Sequence, residues 1–123
     1  MKKFLIVIPI LILVAWVFTS PKRTNPPVVK GKVVVTVQIT AKGFSPASIT
    51  IKKGQAVEWV NDDTEIRWPA SDPHPLHNIY PEFDPKQPIY PGEKWSFTFE
   101  RIGKWGYHDH TFPVNTGSVS VVD

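Results

Sequence analysis

Residues 32–40 read KVVVTVQIT and residues 94–100 read KWSFTFE. β-Branched residues are stiff at χ1 and pack well on a pleated surface, so the first run is a strand. Side chains of a strand alternate between its two faces. In the second run Trp95, Phe97 and Phe99 therefore share one face, and that face belongs in a core. Working outward, SITIK (48–52) is a short strand, Lys53-Gly54 supplies a turn, and AVEWVN (56–61) sets Val57 and Trp59 together. Lys104–His110 and Ser118–Val122 complete the set. No stretch of this region sustains a helical period, and short strands joined by Pro and Gly turns form an all-β sandwich or barrel.

One stretch breaks the alternation. Seven prolines fall from Pro69 to Pro91, and proline cannot donate to a ladder, so much of this stretch is loop. A loop that long in a compact domain is functional or disordered. Trp68, Leu76, Ile79, Tyr80, Phe83 and Tyr90 within or beside it argue for order.

The chain has 123 residues, room for one modest domain. Met-Lys-Lys followed by the uncharged run Phe4–Phe18 has the layout of a secretory signal. No A-x-A cleavage site follows, and no cysteine is present to carry a lipid. Residues 1–20 are therefore expected to be an uncleaved signal anchor forming an N-terminal membrane helix, with Lys2 and Lys3 cytoplasmic. The alternative is a cleaved signal peptide. Either places the remainder outside the cytoplasm, at the outer face of the cell membrane or secreted or periplasmic. Residues 21–31 are Pro-rich and basic and read as a tether, leaving 32–123 as the folded domain.

The net charge of +3 misleads until it is mapped. Every charged residue before Gly54 is basic, and every acidic one lies from Glu58 onward. The folded part is mildly acidic, which excludes the basic face that a nucleic-acid partner needs. Zero cysteines exclude thiolate catalysis, cysteine zinc sites and a cysteine-ligated blue copper.

All four histidines fall in two groups, His74 with His77 in the long loop and His108 with His110 near the C-terminus. Two apart in a strand, His108 and His110 point the same way and offer two imidazoles to one ion. Neutral imidazole suits copper, zinc, nickel or iron, and copper(II) binds tightest under equal supply. Glu82 and Asp84 are candidate acceptors for histidine N–H groups, although solvated loop charges are the simpler reading. Asp62-Asp63 reads as a turn.

The folded part resembles the cupredoxin family. Phe44-Ser-Pro46, Ile49-Thr-Ile51, Gly54 and Val57-Glu-Trp59-Val-Asn61 are similar to its early strands. Pro91-Gly92-Glu93, Phe97-Thr-Phe99, Gly103, Tyr107 and Gly117-Ser-Val119 are similar to its final hairpin. The resemblance implies a Greek-key β-sandwich or barrel. It also puts Asp109, Phe112 and Asn115 where the family's blue copper site has Cys, His and Met. Three of four blue-copper ligands are thus replaced.

Trp105-Gly-Tyr107-His108-Asp-His110 and His74-Pro-Leu-His77 in turn resemble the W-x-Y-H-x-H and H-P-x-H segments of multicopper oxidase domains. That likeness implies that His108 and His110 face away from Asp109, toward type 2 or type 3 copper, with His77 as third ligand and His74 as fourth. The next histidine of the longer pattern would fall on Ile79. One copy therefore cannot build a trinuclear cluster, and a homo-oligomer would have to supply the missing imidazoles.

The leading expectation is a membrane-tethered copper-binding protein with a cysteine-less histidine site. It would act in copper handling or electron transfer with a redox or copper-exchange protein partner. Two alternatives stand beside it. One is a subunit of an oligomeric copper oxidoreductase, for which Asp109 is the candidate proton donor. The other is a metal-free binding module that uses the aromatic loop.

Overall fold

The computed structural model describes residues 30–123. The expected anchor, and the tether as far as residue 29, lie outside the described residues. Among the described residues no helix is long and apolar enough to cross a membrane.

Among the described residues eight strands follow in chain order: β1 (Val33–Thr40), β2 (Gly43–Ser45), β3 (Ser48–Lys52), β4 (Ala56–Asn61), β5 (Pro69–Ser71), β6 (Lys94–Thr98), β7 (Gly103–Asp109) and β8 (Phe112–Val122). They form two four-stranded sheets, ordered β2-β1-β4-β6 and β3-β8-β7-β5. The chain crosses between sheets, so β1 lies parallel to β4 and β3 parallel to β8. Three features did not follow from strand alternation. These are β2, β5 and the extension of β8 back to Phe112. β5 escapes notice because it is three residues long and begins with Pro69. A proline is tolerated there because β5 is an edge strand and pairs only with β7.

The expected core faces are in place. Val37, Ile39, Val57, Trp59, Phe99, Tyr107 and Val119 are all fully excluded from solvent. Burial of each such side chain is worth roughly 1.5–3 kcal/mol relative to exposure. Trp59 sits at the centre, its ring 5.1 Å from Phe83, 5.4 Å from Trp95 and 5.5 Å from Tyr107. Phe97 is only partly buried, but it packs against Tyr80 and stacks on Phe83.

Phe83 and Tyr80 come from the proline-rich loop, and with Ile89 they bury themselves between the sheets. The Tyr80 N–H donates to Ser71 Oγ, the Glu100 N–H donates to Tyr80 Oη, and the Ser71 N–H donates to the Phe83 carbonyl. The loop is thus pinned at both faces of the sandwich. Leu76 and Ile79 remain exposed. The pinned loop carries His74 and His77 to the edge strand β5, beside β7.

Candidate metal centre

β7 is held on both sides, by β8 and by β5, and Ala70 of β5 stands opposite His108. His108 is consequently almost fully buried, 2 % exposed. His110 lies one residue beyond β7, in the turn to β8, where its N–H donates to the Trp68 carbonyl. His77 is 6 % exposed and sits at φ 52°, in the left-handed region. Histidine enters that region more readily than β-branched residues do. Its N–H closes a turn onto the Pro73 carbonyl.

These placements bring all four histidines together. One donor nitrogen from each of His74, His77, His108 and His110 lies within 4.8 Å of every other. His74 Nδ1 faces His108 Nε2 at 3.3 Å, and His110 Nδ1 faces His77 Nε2 at 3.0 Å. Imidazole nitrogens about 2.0–2.1 Å from one metal stand roughly 2.9–4.1 Å apart, depending on geometry. The cluster needs little closure to meet that requirement.

Two carboxylates orient two of the rings. His77 Nδ1 is 2.8 Å from Asp84 Oδ2, and His108 Nδ1 is 2.9 Å from Asp72 Oδ1. An ionised carboxylate only accepts hydrogen bonds, so both Nδ1 atoms carry the proton and both Nε2 atoms present a lone pair to the cluster. This is how proteins commonly orient a metal-binding imidazole. Asp84 also accepts from Trp68 Nε1 and from the Lys86 N–H, each at 2.8 Å. Burial alone would raise the pKa of Asp84, but the bonds from His77, Trp68 and Lys86 outweigh it and hold the group below the ordinary aspartate value. Trp68 packs its ring 4.7 Å from His110, so one side chain supports two members of the cluster.

Burial, and after it the neighbouring imidazoles of His77, His74 and His108, hold His110 below the ordinary histidine value. A neutral imidazole is the form that binds metal.

Asp72, Trp68 and Gly106 were not singled out as site residues in the sequence. A Cβ on Gly106 would come within 2.5 Å of Asp72 Oδ2, so glycine leaves the space that the carboxylate occupies. The Asp72 signal lay only in its place just before the His-bearing turn. Of the two acids considered, Asp84 serves the cluster. Glu82 instead pairs with Arg101 at 2.9 Å on the surface.

Asp109 does not meet the need for a proton donor. Its side chain is wholly buried and accepts from Arg67 Nη1 (3.1 Å), the Trp68 N–H (3.0 Å), the Thr111 N–H (3.0 Å) and Thr111 Oγ1 (2.7 Å). None of those partners is a histidine. Arg67 also pairs with Asp63, so the expected Asp62-Asp63 turn carries an ion pair as well. Burial would lower the pKa of Arg67, but its bonds to Asp63 and Asp109 raise it overall. The position that the resemblance equates with the blue-copper cysteine is thus occupied by one end of a buried ion pair.

The model of the cupredoxin-like domain matches residues 9–121. The chain belongs to the cupredoxin-like family. Solved structures with the same fold include a purple cupredoxin from Nitrosopumilus maritimus. It is 22 % identical with a TM-score of 0.59, over 72 % of this chain and all of that one. A reduced proline-to-phenylalanine variant of amicyanin is 22 % identical with a TM-score of 0.62, over 77 % of this chain and 86 % of its own. The copper(I) form of a methionine-to-alanine amicyanin variant is 20 % identical with a TM-score of 0.61, over the same shares. No curated protein sequence matches the chain. At these identities the neighbours establish the cupredoxin fold, an all-β sandwich, and leave the metal site to be argued from this chain's own residues.

Proposed function

We propose that this cupredoxin-like chain binds one copper ion through His74, His77, His108 and His110 and serves in copper handling outside the cytoplasm. The observation that carries the reading is the convergence of four imidazole nitrogens within 4.8 Å. Two of those rings are already oriented by Asp84 and Asp72. The donor set suits the ion, because four neutral imidazoles with no thiolate or thioether form a type 2-like site. When bound, copper would supply a redox-active, Lewis-acidic centre. The chain's own residues would bind it, fix its ligand tautomers and bury it on the β7 side.

Four protein donors leave little room for a substrate at the metal, which favours storage or delivery over catalysis. Asp109, the proton donor required by the enzyme reading, is already committed to Arg67. The basic start and apolar run of residues 1–20 support tethering at the outer face of a membrane. The acceptor of copper or electrons would then be another extracytoplasmic protein.

A double substitution, His108→Ala with His110→Ala, tests the assignment. The variant is expected to fold, by circular dichroism, and to lose tight copper(II) binding. Stoichiometric binding retained in that variant would overturn it.

A further inference from the structure

Resting on that reading, we propose that the four ligands are unequal: His77 and His108 form a fixed pair, and copper enters and leaves by exchange at His74. The division follows from what holds each ring. His77 and His108 are 6 % and 2 % exposed, and each is clamped through Nδ1 by a carboxylate. His110 is half-buried, with its N–H bonded to the Trp68 carbonyl and its ring packed on Trp68. His74 has no such support. It is exposed between exposed Pro73 and Pro75, and Leu76 beyond them is 67 % exposed. Its hydrogen bond is to His108, and its ring contacts are to His77, His108 and His110. Among the described residues, no side chain outside the cluster hydrogen-bonds or stacks on its ring.

A metal held by several donors is released one bond at a time, and the donor with the least restraint leaves first. With His74 gone, the vacated position opens to solvent, where an imidazole, carboxylate or thioether side chain of a partner can bind. One metal–nitrogen bond breaks as one metal–donor bond forms, and the copper keeps its oxidation state. The partner then draws the ion away from His110, and last from the clamped pair. A site with four clamped ligands would hold copper but pass it on slowly. One loose ligand at the surface gives retention and transfer together.

Copper(II) loaded on the full chain, with EDTA as acceptor in stopped-flow mixing, tests the inference. His74→Ala is expected to keep one copper per chain with affinity lowered ten- to a hundredfold, and to transfer it at least tenfold faster than the wild type. Millimolar free imidazole should restore the four-nitrogen electron paramagnetic resonance signal of His74→Ala, because the vacated position faces solvent. The same imidazole should fail on His108→Ala, whose vacated position is buried. Complete loss of copper by His74→Ala, an unchanged transfer rate, or rescue of His108→Ala but not of His74→Ala would each overturn it. A wild-type chain that takes up no copper(II) would instead remove the metal reading itself.

Discussion

Asp84→Asn isolates the outer support of the cluster without touching a ligand. The Asp84 side chain is 5 % exposed and accepts bonds from His77 Nδ1, Trp68 Nε1 and the Lys86 N–H, each at 2.8 Å. An amide has one accepting oxygen and one donating nitrogen. If the oxygen faces His77, the NH2 meets the N–H groups of Trp68 and Lys86. If the NH2 faces His77, it demands the other histidine tautomer and protonates the nitrogen that should bind metal. A hydrogen bond to a charged group is worth about 1.5–3 kcal/mol, and the second outcome costs affinity directly. Copper affinity should therefore fall about 10–100-fold, the usual effect of losing such a partner. Competition against chelators of graded affinity measures this, with circular dichroism to verify the fold. Affinity within twofold of the wild type would refute the claim that Asp84 orients His77.

Arg67→Ala removes the ion-pair partner of the wholly buried Asp109 carboxyl group, and breaking a buried pair in this way costs about 3–5 kcal/mol; a thermal midpoint within a few degrees of the wild type would count against the pairing. Gly117→Ala would place a Cβ 2.4 Å from Tyr107 Cζ, well inside van der Waals contact with a buried ring, so a loss of about 1–3 kcal/mol is expected in urea unfolding. The apo domain should lose stability as pH falls below about 6.5, the ordinary histidine value. Burial and the imidazole neighbours depress His110 in the fold, so the unfolded chain takes up the proton first, and the loss continues until the folded-state value is passed. Urea midpoints at pH 7.5 and 5.5 check the sign, and a midpoint that rises toward acid would contradict it.

Much of the sandwich was legible because its strands obey the two-residue period. Val57 with Trp59, and Trp95 with Phe99, bury the faces that alternation assigns. Alternation could not reveal β2 and β5, since three residues are too few to display a period and Pro69 masks the edge strand, although the family resemblance did point to Phe44 and Ser45 of β2. The cluster could be read in part. His108 and His110 were read as neighbours on one strand face, whereas His110 lies one residue past β7, after a register irregularity, and joins His108 from the turn. His74 and His77 reach them only because Tyr80, Phe83 and Ile89 anchor the loop in the core, a tertiary effect that no spacing reveals. Asp72 and Gly106 were hidden for the same reason: they meet where the end of β5 adjoins β7, and their relation exists only once β5 has docked. The Arg67–Asp109 pair spans 42 positions, beyond any local pattern.

The most direct test of the central claim is a copper(II) titration of the purified chain, followed by electron paramagnetic resonance. One copper per chain is expected, with weak visible colour, a type 2 signal and splitting from imidazole nitrogens. Absence of saturable binding, or a signal unaltered when His77 and His108 are both replaced by alanine, would contradict the assignment of these four histidines as a copper site.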